Sequence, residues 1–446
     1  MDTTRDPAID AYRAMALAAV VLGHWLLTVT WWSNGRLEAD NLLDVAPWTQ
    51  WATWVLQPVP LFFVVGGWAG ARSWRRARAT TTRAAWLATR LERLLVPVCT
   101  FTCVALVGAA TLKLAIPGQA GTVARLLGMP LWFLAVYVPV TAAMPLLVDL
   151  VDRWGWRIPR DLAVAAVGVD LCRFGGHLGG VGWSNFAFVW LFCASVGVAA
   201  ESRPPSRRAL AWVGLASVVA LAATVHAGWY PVSMVGVGDR SNNTPPTVAL
   251  LLLGVAHACV AGLAAPMLRR QLARRALAAR SVSLLGVFGM HLYLWHLTAT
   301  VAIVALEKYG LGNIRPSTGW WWATRPLWIG ALTLVALPVV LLAATVDRRR
   351  LQAPSQVTAS TVRVGVAVVA STTGLTVLAL RGFGLGPVAL GATGAVQAAA
   401  LLVLERRRGA TERTDPRPVV KTCGSAGSGR APTHRCDARR GSTSRR

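Results

Sequence analysis

Arg13 and His24 stand eleven residues apart inside the first apolar stretch of the chain. On a helix, at about 100° and 1.5 Å per residue, they differ by roughly 20° in direction and lie roughly 16 Å apart along one face. A guanidinium is a permanent cation suited to phosphate or carboxylate oxygens. An imidazole titrates near neutrality, so it can take a proton from a hydroxyl or accept a transferred group itself. Ionisable side chains inside a membrane span are costly and face a cavity or a partner rather than lipid, which makes this stripe a candidate site. The competing assignment is structural, with Arg13 snorkelling as an anchor and His24 hydrogen-bonded in the core.

Four further patterns are placed to cooperate with that stripe. The second apolar stretch carries Pro58, Pro60, Phe62, Phe63, Gly66 and Gly67, where prolines kink a helix and glycines admit close backbone approach. A basic segment ends in Arg90 and Arg93, three residues apart and followed by Pro97. Leu131 to Leu134 precede Tyr137, and a late span reads Tyr293-Leu-Trp295-His296. His291 and His296 are five apart and so point about 140° from one another, which lets only one of them readily face a given cavity. The seven cysteines imply no disulfide framework, five of them lying in apolar stretches, and Cys423, His434 and Cys436 lack a zinc-site spacing. No metal site is expected.

The elements that must hold these residues are membrane helices. Of 446 residues, 54% are hydrophobic and 14% charged, and the mean hydropathy is +0.49; this is the composition of an all-α polytopic membrane protein. Stretches long enough to cross a bilayer fall at 11–32, 48–71, 94–115, 130–151, 158–174, 182–200, 208–227, 247–267, 281–304, 320–346, 362–380 and 385–404. That makes about twelve transmembrane helices, the fifth being the weakest because it carries Asp161, Asp170 and Arg173. Asp170 can pair with Arg173 on the next turn. The net charge of +26 sits in alternate short loops and in the C-terminal tail, not on a basic soluble face, so lipid headgroups rather than nucleic acid account for it. Arg72 to Arg93, Arg203 to Arg208, Arg269 to Arg280 and Arg348 to Arg350 then lie in the cytoplasm, with both termini. The expected organisation is a membrane domain of about ten spans over 1–350, two more helices over 351–405, and a disordered basic cytoplasmic tail over 406–446.

Taken in order, these motifs resemble the acyltransferase-three family of integral membrane acyltransferases over about residues 5 to 346. Arg13 and His24 match its arginine, ten residues, histidine signature; Arg90 and Arg93 its paired-arginine motif; Phe62 to Gly67 its second-span motif; and Tyr293 to His296 its late Leu-Trp-His motif. Gly66 stands where many members have serine, and no appended esterase-like domain is expected. The resemblance implies a ten-helix acyltransferase core in a bacterial plasma membrane. It also implies transfer of an acyl group, acetyl foremost, from cytosolic acyl-coenzyme A to a hydroxyl on a carbohydrate or other envelope or secreted acceptor. Acyl-coenzyme A is then a co-substrate, with no cofactor bound permanently. Arg13, Arg90 and Arg93 would bind the donor's phosphates, and the pantetheine arm would run toward His24, with His296 beside it. His24 as general base is preferred to His24 as acyl carrier, and both remain open. Tyr137 and Asn185 are expected to touch substrate; His226 and His257 have no motif support. The competing class is a secondary transporter or exporter of about twelve spans, against which the break in the second span has no counterpart in a second half.

Overall fold

The computed structural model describes residues 6–33, 36–115, 117–176, 178–237, 240–307, 318–351 and 360–404. The tail expected to be disordered, 406–446, lies outside them. The first helix, α1 (Pro7–Leu27), starts where Asp6 caps it by accepting the Ala8 N–H at 3.0 Å, with Pro7 in the first turn where a missing N–H costs nothing. It stops short of the expected end at 32. The β-branched and aromatic run from Thr28 to Trp32 instead forms an antiparallel hairpin, β1 (Thr28–Ser33) and β2 (Arg36–Asn41), registered from Thr28 opposite Asn41 to Ser33 opposite Arg36. Two short helices, α2 (Leu42–Val45) and α3 (Thr53–Leu56), flank a 3-10 turn at Pro47–Ala52. Pro58 and Pro60 then open α4 (Val59–Ala77), so the long α-helix begins well inside the apolar run that contains it.

The rest is helical. In order come α5 (Arg83–Ala115), α6 (Pro117–Gly128), α7 (Leu131–Trp154), α8 (Arg157–Phe174), α9 (Asn185–Ser202) and α10 (Arg207–His226). A two-residue hairpin, β3 (Gly236–Val237) and β4 (Arg240–Ser241), precedes α11 (Val248–Arg274), α12 (Ala276–Glu307), α13 (Gly319–Leu351), α14 (Thr361–Arg381) and α15 (Pro387–Leu404). Ten helical stretches among the described residues are long and apolar enough to cross a membrane. The stretches holding α1 and α8 fall outside that set because both carry ionisable side chains, Asp10, Arg13 and His24 in one and Arg160, Asp161, Asp170 and Arg173 in the other.

Charge defines one end of the bundle. Arg75 bridges Asp152 of α7 and Glu201 of α9, Arg78 also reaches Asp152, Arg83 pairs with Asp149, and Arg269 of α11 holds Asp6. These pairs tie α1, α4, α5, α7, α9 and α11 together at the arginine-rich end. The hairpin β1–β2 closes the opposite end, where Trp54 and Gln57 donate to the carbonyls of Val232 and Met234.

Two glycines set the closest helix contact. A Cβ on Gly67 would lie 2.0 Å from the carbonyl oxygen of Ala194, and one on Gly197 would lie 1.9 Å from that of Val64. The backbones of α4 and α9 therefore touch, which fixes the depth and rotation of α4 and the residues it presents. The last two helices are packed in, not appended loosely: Gln397 of α15 donates to the Cys99 carbonyl at 3.1 Å and to Thr102 at 2.9 Å, and Phe383 meets Phe101 edge-on at 5.9 Å.

Replacing Gly197 by Ala forces α4 and α9 apart and is expected to destabilise the protein by about 3 kcal/mol, at the upper end of overpacking costs. Gly108→Ala, where nothing lies within 4 Å of the added carbon, should be neutral or slightly stabilising. Thermal unfolding of both variants in detergent measures the contrast.

Candidate functional site

His24, in the last turn of α1, meets His296 of α12. The Nδ1 of His24 lies 2.7 Å from the Nε2 of His296, and the two rings stack within 9° of parallel at 5.0 Å between centroids. The other nitrogen of His296, Nδ1, is 2.7 Å from the carbonyl oxygen of Tyr293, on the preceding turn of α12. A carbonyl can only accept, so His296 carries its proton on Nδ1 and its Nε2 is the bare nitrogen. The short contact between the rings then requires His24 to donate from its own Nδ1. The two rings thus form an ordered relay: the Tyr293 carbonyl accepts from His296, and His296 accepts from His24. The Nε2 of His24 is left with its lone pair.

The surroundings hold both rings still. His296 is fully buried, its carbonyl accepts the indole N–H of Trp25 at 3.0 Å, and the Trp25 carbonyl accepts that of Trp328 at 3.2 Å. The Tyr293 hydroxyl donates to the Pro130 carbonyl, joining α12 to the start of α7. His24 is half-buried and lines a cavity of about 2690 Å³; His296 is not in that lining and stands behind it. Of the pair, His24 is the ring that a ligand can reach.

That cavity joins the two ends of the bundle. Arg13, Arg72, Arg76, Arg90 and Arg93 line it at the arginine-rich end, and Asn41, Trp48, Gln57, Asn243 and Trp322 line it beneath the hairpin. Arg90 lies within electrostatic reach of Arg13, Arg93 and Tyr137, and its guanidinium sits 4.3 Å over the Trp86 ring. Among the described residues none of Arg13, Arg90 and Arg93 makes an ion pair, whereas Arg75, Arg78 and Arg83 on the same stretch are all tied to carboxylates. Three cations that converge on a cavity without being engaged in ion pairs form a receptor for an anion bearing several charges.

Aromatic side chains wall the passage between the arginines and His24. Phe133 stacks on Tyr137 at 5.5 Å, and Phe62 meets Phe133 edge-on at 5.1 Å. A Cβ on Gly66 would lie an ordinary 3.7 Å from Tyr137, so this position is small without being obstructed. Asn185 is elsewhere. It is fully buried, donates to Asp170 at 2.9 Å, and does not line the cavity. Asp170 also accepts from Tyr230 and from the Val248 N–H, both at 2.8 Å, so it caps α11 and does not form the expected ion pair with Arg173. The i, i+3 spacing allowed that pair, but three neutral donors from other elements occupy the carboxylate.

His291, set aside in favour of His296, has a partner of its own. Its Nε2 donates to Asp347 at 3.0 Å, and Thr100 donates to the other oxygen of the same, fully buried, carboxylate at 2.6 Å. The pair joins α5, α12 and α13 beside the cavity, which His291 also lines. Asp347 precedes Arg348, Arg349 and Arg350 and reads in sequence as part of a charged loop. Only the continuation of α13 to Leu351 turns it inward. No group of three His, Cys, Asp or Glu side chains among the described residues could hold a metal ion.

A family model described as an acyltransferase domain matches residues 6–345, from the cap of α1 to within a few residues of the end of α13. No curated protein and no solved structure matches the chain.

Removing the buried carboxylate strands two polar partners. Asp347→Ala is expected to cost about 3 kcal/mol of stability, and Asp347→Asn, which keeps an acceptor oxygen for His291, should cost less. Unfolding midpoints in detergent give both numbers.

Proposed function

The chain belongs to the acyltransferase family matched over residues 6–345, and we propose that it moves an acyl group, acetyl foremost, from cytosolic acyl-coenzyme A to a hydroxyl of a carbohydrate or other envelope or secreted acceptor. Acyl transfer within a bundle of membrane helices is what the family membership establishes. The donor, the acceptor and the role of His24 are the proposal. The observation that carries it is one continuous cavity with Arg13, Arg90 and Arg93, which make no ion pair among the described residues, at one end and the bare Nε2 of His24 further in.

In this reading the arginine-rich end faces the cytosol of a bacterial cell, as the excess of positive charge favours. Arg13, Arg90 and Arg93 bind the diphosphate of the donor by charge-assisted hydrogen bonds. The pantetheine arm extends past Phe133 and Tyr137 and brings the thioester to His24, about 16 Å along α1 from Arg13. The acceptor enters beneath the hairpin, where Trp48, Asn243 and Trp322 line the cavity.

His24 Nε2 takes the proton of the acceptor hydroxyl as its oxygen attacks the thioester carbonyl. The carbon–sulfur bond then breaks, and the imidazolium returns that proton to the departing thiolate, leaving ester and free coenzyme A. While His24 is charged, its Nδ1–H remains on the Nε2 of His296, which spreads the charge without moving a second proton. His296 is thus a positioning residue and His24 the catalytic one. The same bare nitrogen could attack the thioester directly, but the general-base route needs no acyl-imidazole to be kept from water.

Full-length protein in detergent, supplied with radiolabelled acetyl-coenzyme A and cell-envelope glycans, tests the roles separately. His24→Ala should lower turnover by about 10²- to 10⁴-fold, the range of a lost general base, while donor binding persists. Unchanged turnover would reject the assignment. Arg90→Ala combined with Arg93→Ala should instead raise the donor KM more than it lowers kcat, and a normal KM with a collapsed kcat would show that the pair serves something else.

A further inference from the structure

The arginines along α4 and at its C-cap face different partners, and Arg76 lines the cavity mouth with Arg72. Arg75 and Arg78 turn toward α7 and α9 and are held by Asp152 and Glu201. Arg72, one turn earlier, turns into the cavity. It is half-buried, makes no ion pair among the described residues, and has its guanidinium 5.1 Å from the centroid of Trp68, which lines the cavity too. Asp6 is a nearby carboxylate that could have neutralised it. Both oxygens of Asp6 are already engaged by Arg269, at 3.0 and 2.7 Å. A half-buried guanidinium that is steadied on an indole face, with its nearby carboxylate already bonded to another arginine, is arranged to meet an anion that comes and goes.

Depth along α4 says which anion. Gly66 lies against Tyr137, and Tyr137 marks the level of Arg90 and its neighbours Arg13 and Arg93. Arg72 is six residues beyond Gly66 along α4, a rise of about 9 Å from the level of Tyr137 toward the arginine-rich mouth, while the Trp86 ring beneath Arg90 reaches Ser73, next to Arg72. If the diphosphate occupies the inner cluster and the arm points to His24, the nucleotide end of the donor must lie toward the mouth. Its remaining phosphate is the one on the ribose.

We propose that Arg72, held by Trp68, binds the 3′-phosphate of the acyl-coenzyme A nucleotide, so that this chain discriminates coenzyme A thioesters from those lacking that phosphate. The proposal rests on acyl-coenzyme A being the donor. Diphosphate and 3′-phosphate are then read by two separate groups of arginines, the inner cluster and Arg72.

The experiment compares acetyl-coenzyme A with acetyl-dephospho-coenzyme A on the full chain, as wild type, Arg72→Ala and Arg72→Lys. The wild type should show a KM at least about tenfold lower for acetyl-coenzyme A, the scale of one charge-assisted hydrogen bond. In Arg72→Ala the two KM values should converge on that of acetyl-dephospho-coenzyme A, and Arg72→Lys should keep part of the difference. Arg90→Ala with Arg93→Ala should weaken both donors together. A wild type that does not distinguish the donors overturns the site without any variant having to fold, as does an Arg72→Ala whose donor ratio stays at the wild-type value. Wild-type protein that transfers from neither donor overturns the acyl-coenzyme A reading beneath it, a separate result from loss of discrimination.

Discussion

The contact between His24 and His296 orders everything around it. A helix carbonyl, that of Tyr293, fixes the proton of one ring, and the 2.7 Å contact then fixes the proton of the other. Reactivity at the remaining nitrogen therefore depends on the backbone of α12 and on the distance between α1 and α12, not on His24 alone. The structure maintains that distance with groups of little chemical reactivity. Trp25 and Trp328 chain their indole N–H groups from α13 through α1 to the carbonyl of His296, and Phe101 packs edge-on against Trp295 at 5.3 Å. Because Phe101 is also gripped by Phe383, the two helices beyond the matched family domain bear on the wall behind the histidines.

Electrostatics divides the arginine-rich end into two populations. Where a carboxylate from α7, α9 or the cap of α1 is within reach, an arginine joins helices. Where the cavity opens, Arg13, Arg72, Arg90 and Arg93 converge, and none of them makes an ion pair among the described residues. Placing like charges together is unfavourable, and more so where water is partly excluded. Asp6 and Asp10 in the same lining offset part of that repulsion, and the arrangement gains most when a polyanion arrives. The cost of gathering the cations and the affinity for a multiply charged donor have one physical origin.

How much of this is legible in the residues varies with the kind of interaction. Helix periodicity suffices to put Arg13 and His24 on one face, and both line the cavity. Apolar length suffices to locate the long helices, each of the twelve stretches holding one. Local chemistry near helix ends is harder to read. The run from Thr28 to Trp32 is apolar enough to continue α1, yet its β-branched and aromatic side chains form a strand once a partner exists at Arg36–Asn41. Long-range partners are not legible at all. Nothing near Asp170 announces that Tyr230 and Val248 will claim it, and nothing near Asp347 announces His291. Asn185 has the right polarity and depth for a substrate contact, but its amide is committed to Asp170.

The tautomer of His24 is the most direct test, because proton abstraction by Nε2 is impossible if that nitrogen already carries a proton. Solid-state NMR of the protein in bilayers, labelled with ¹⁵N in the histidine rings and assigned through His24→Gln, reads the protonation of each nitrogen. The structure predicts that His24 is protonated at Nδ1 and bare at Nε2, with His296 protonated at Nδ1. A His24 ring protonated at Nε2 in the resting protein would contradict it.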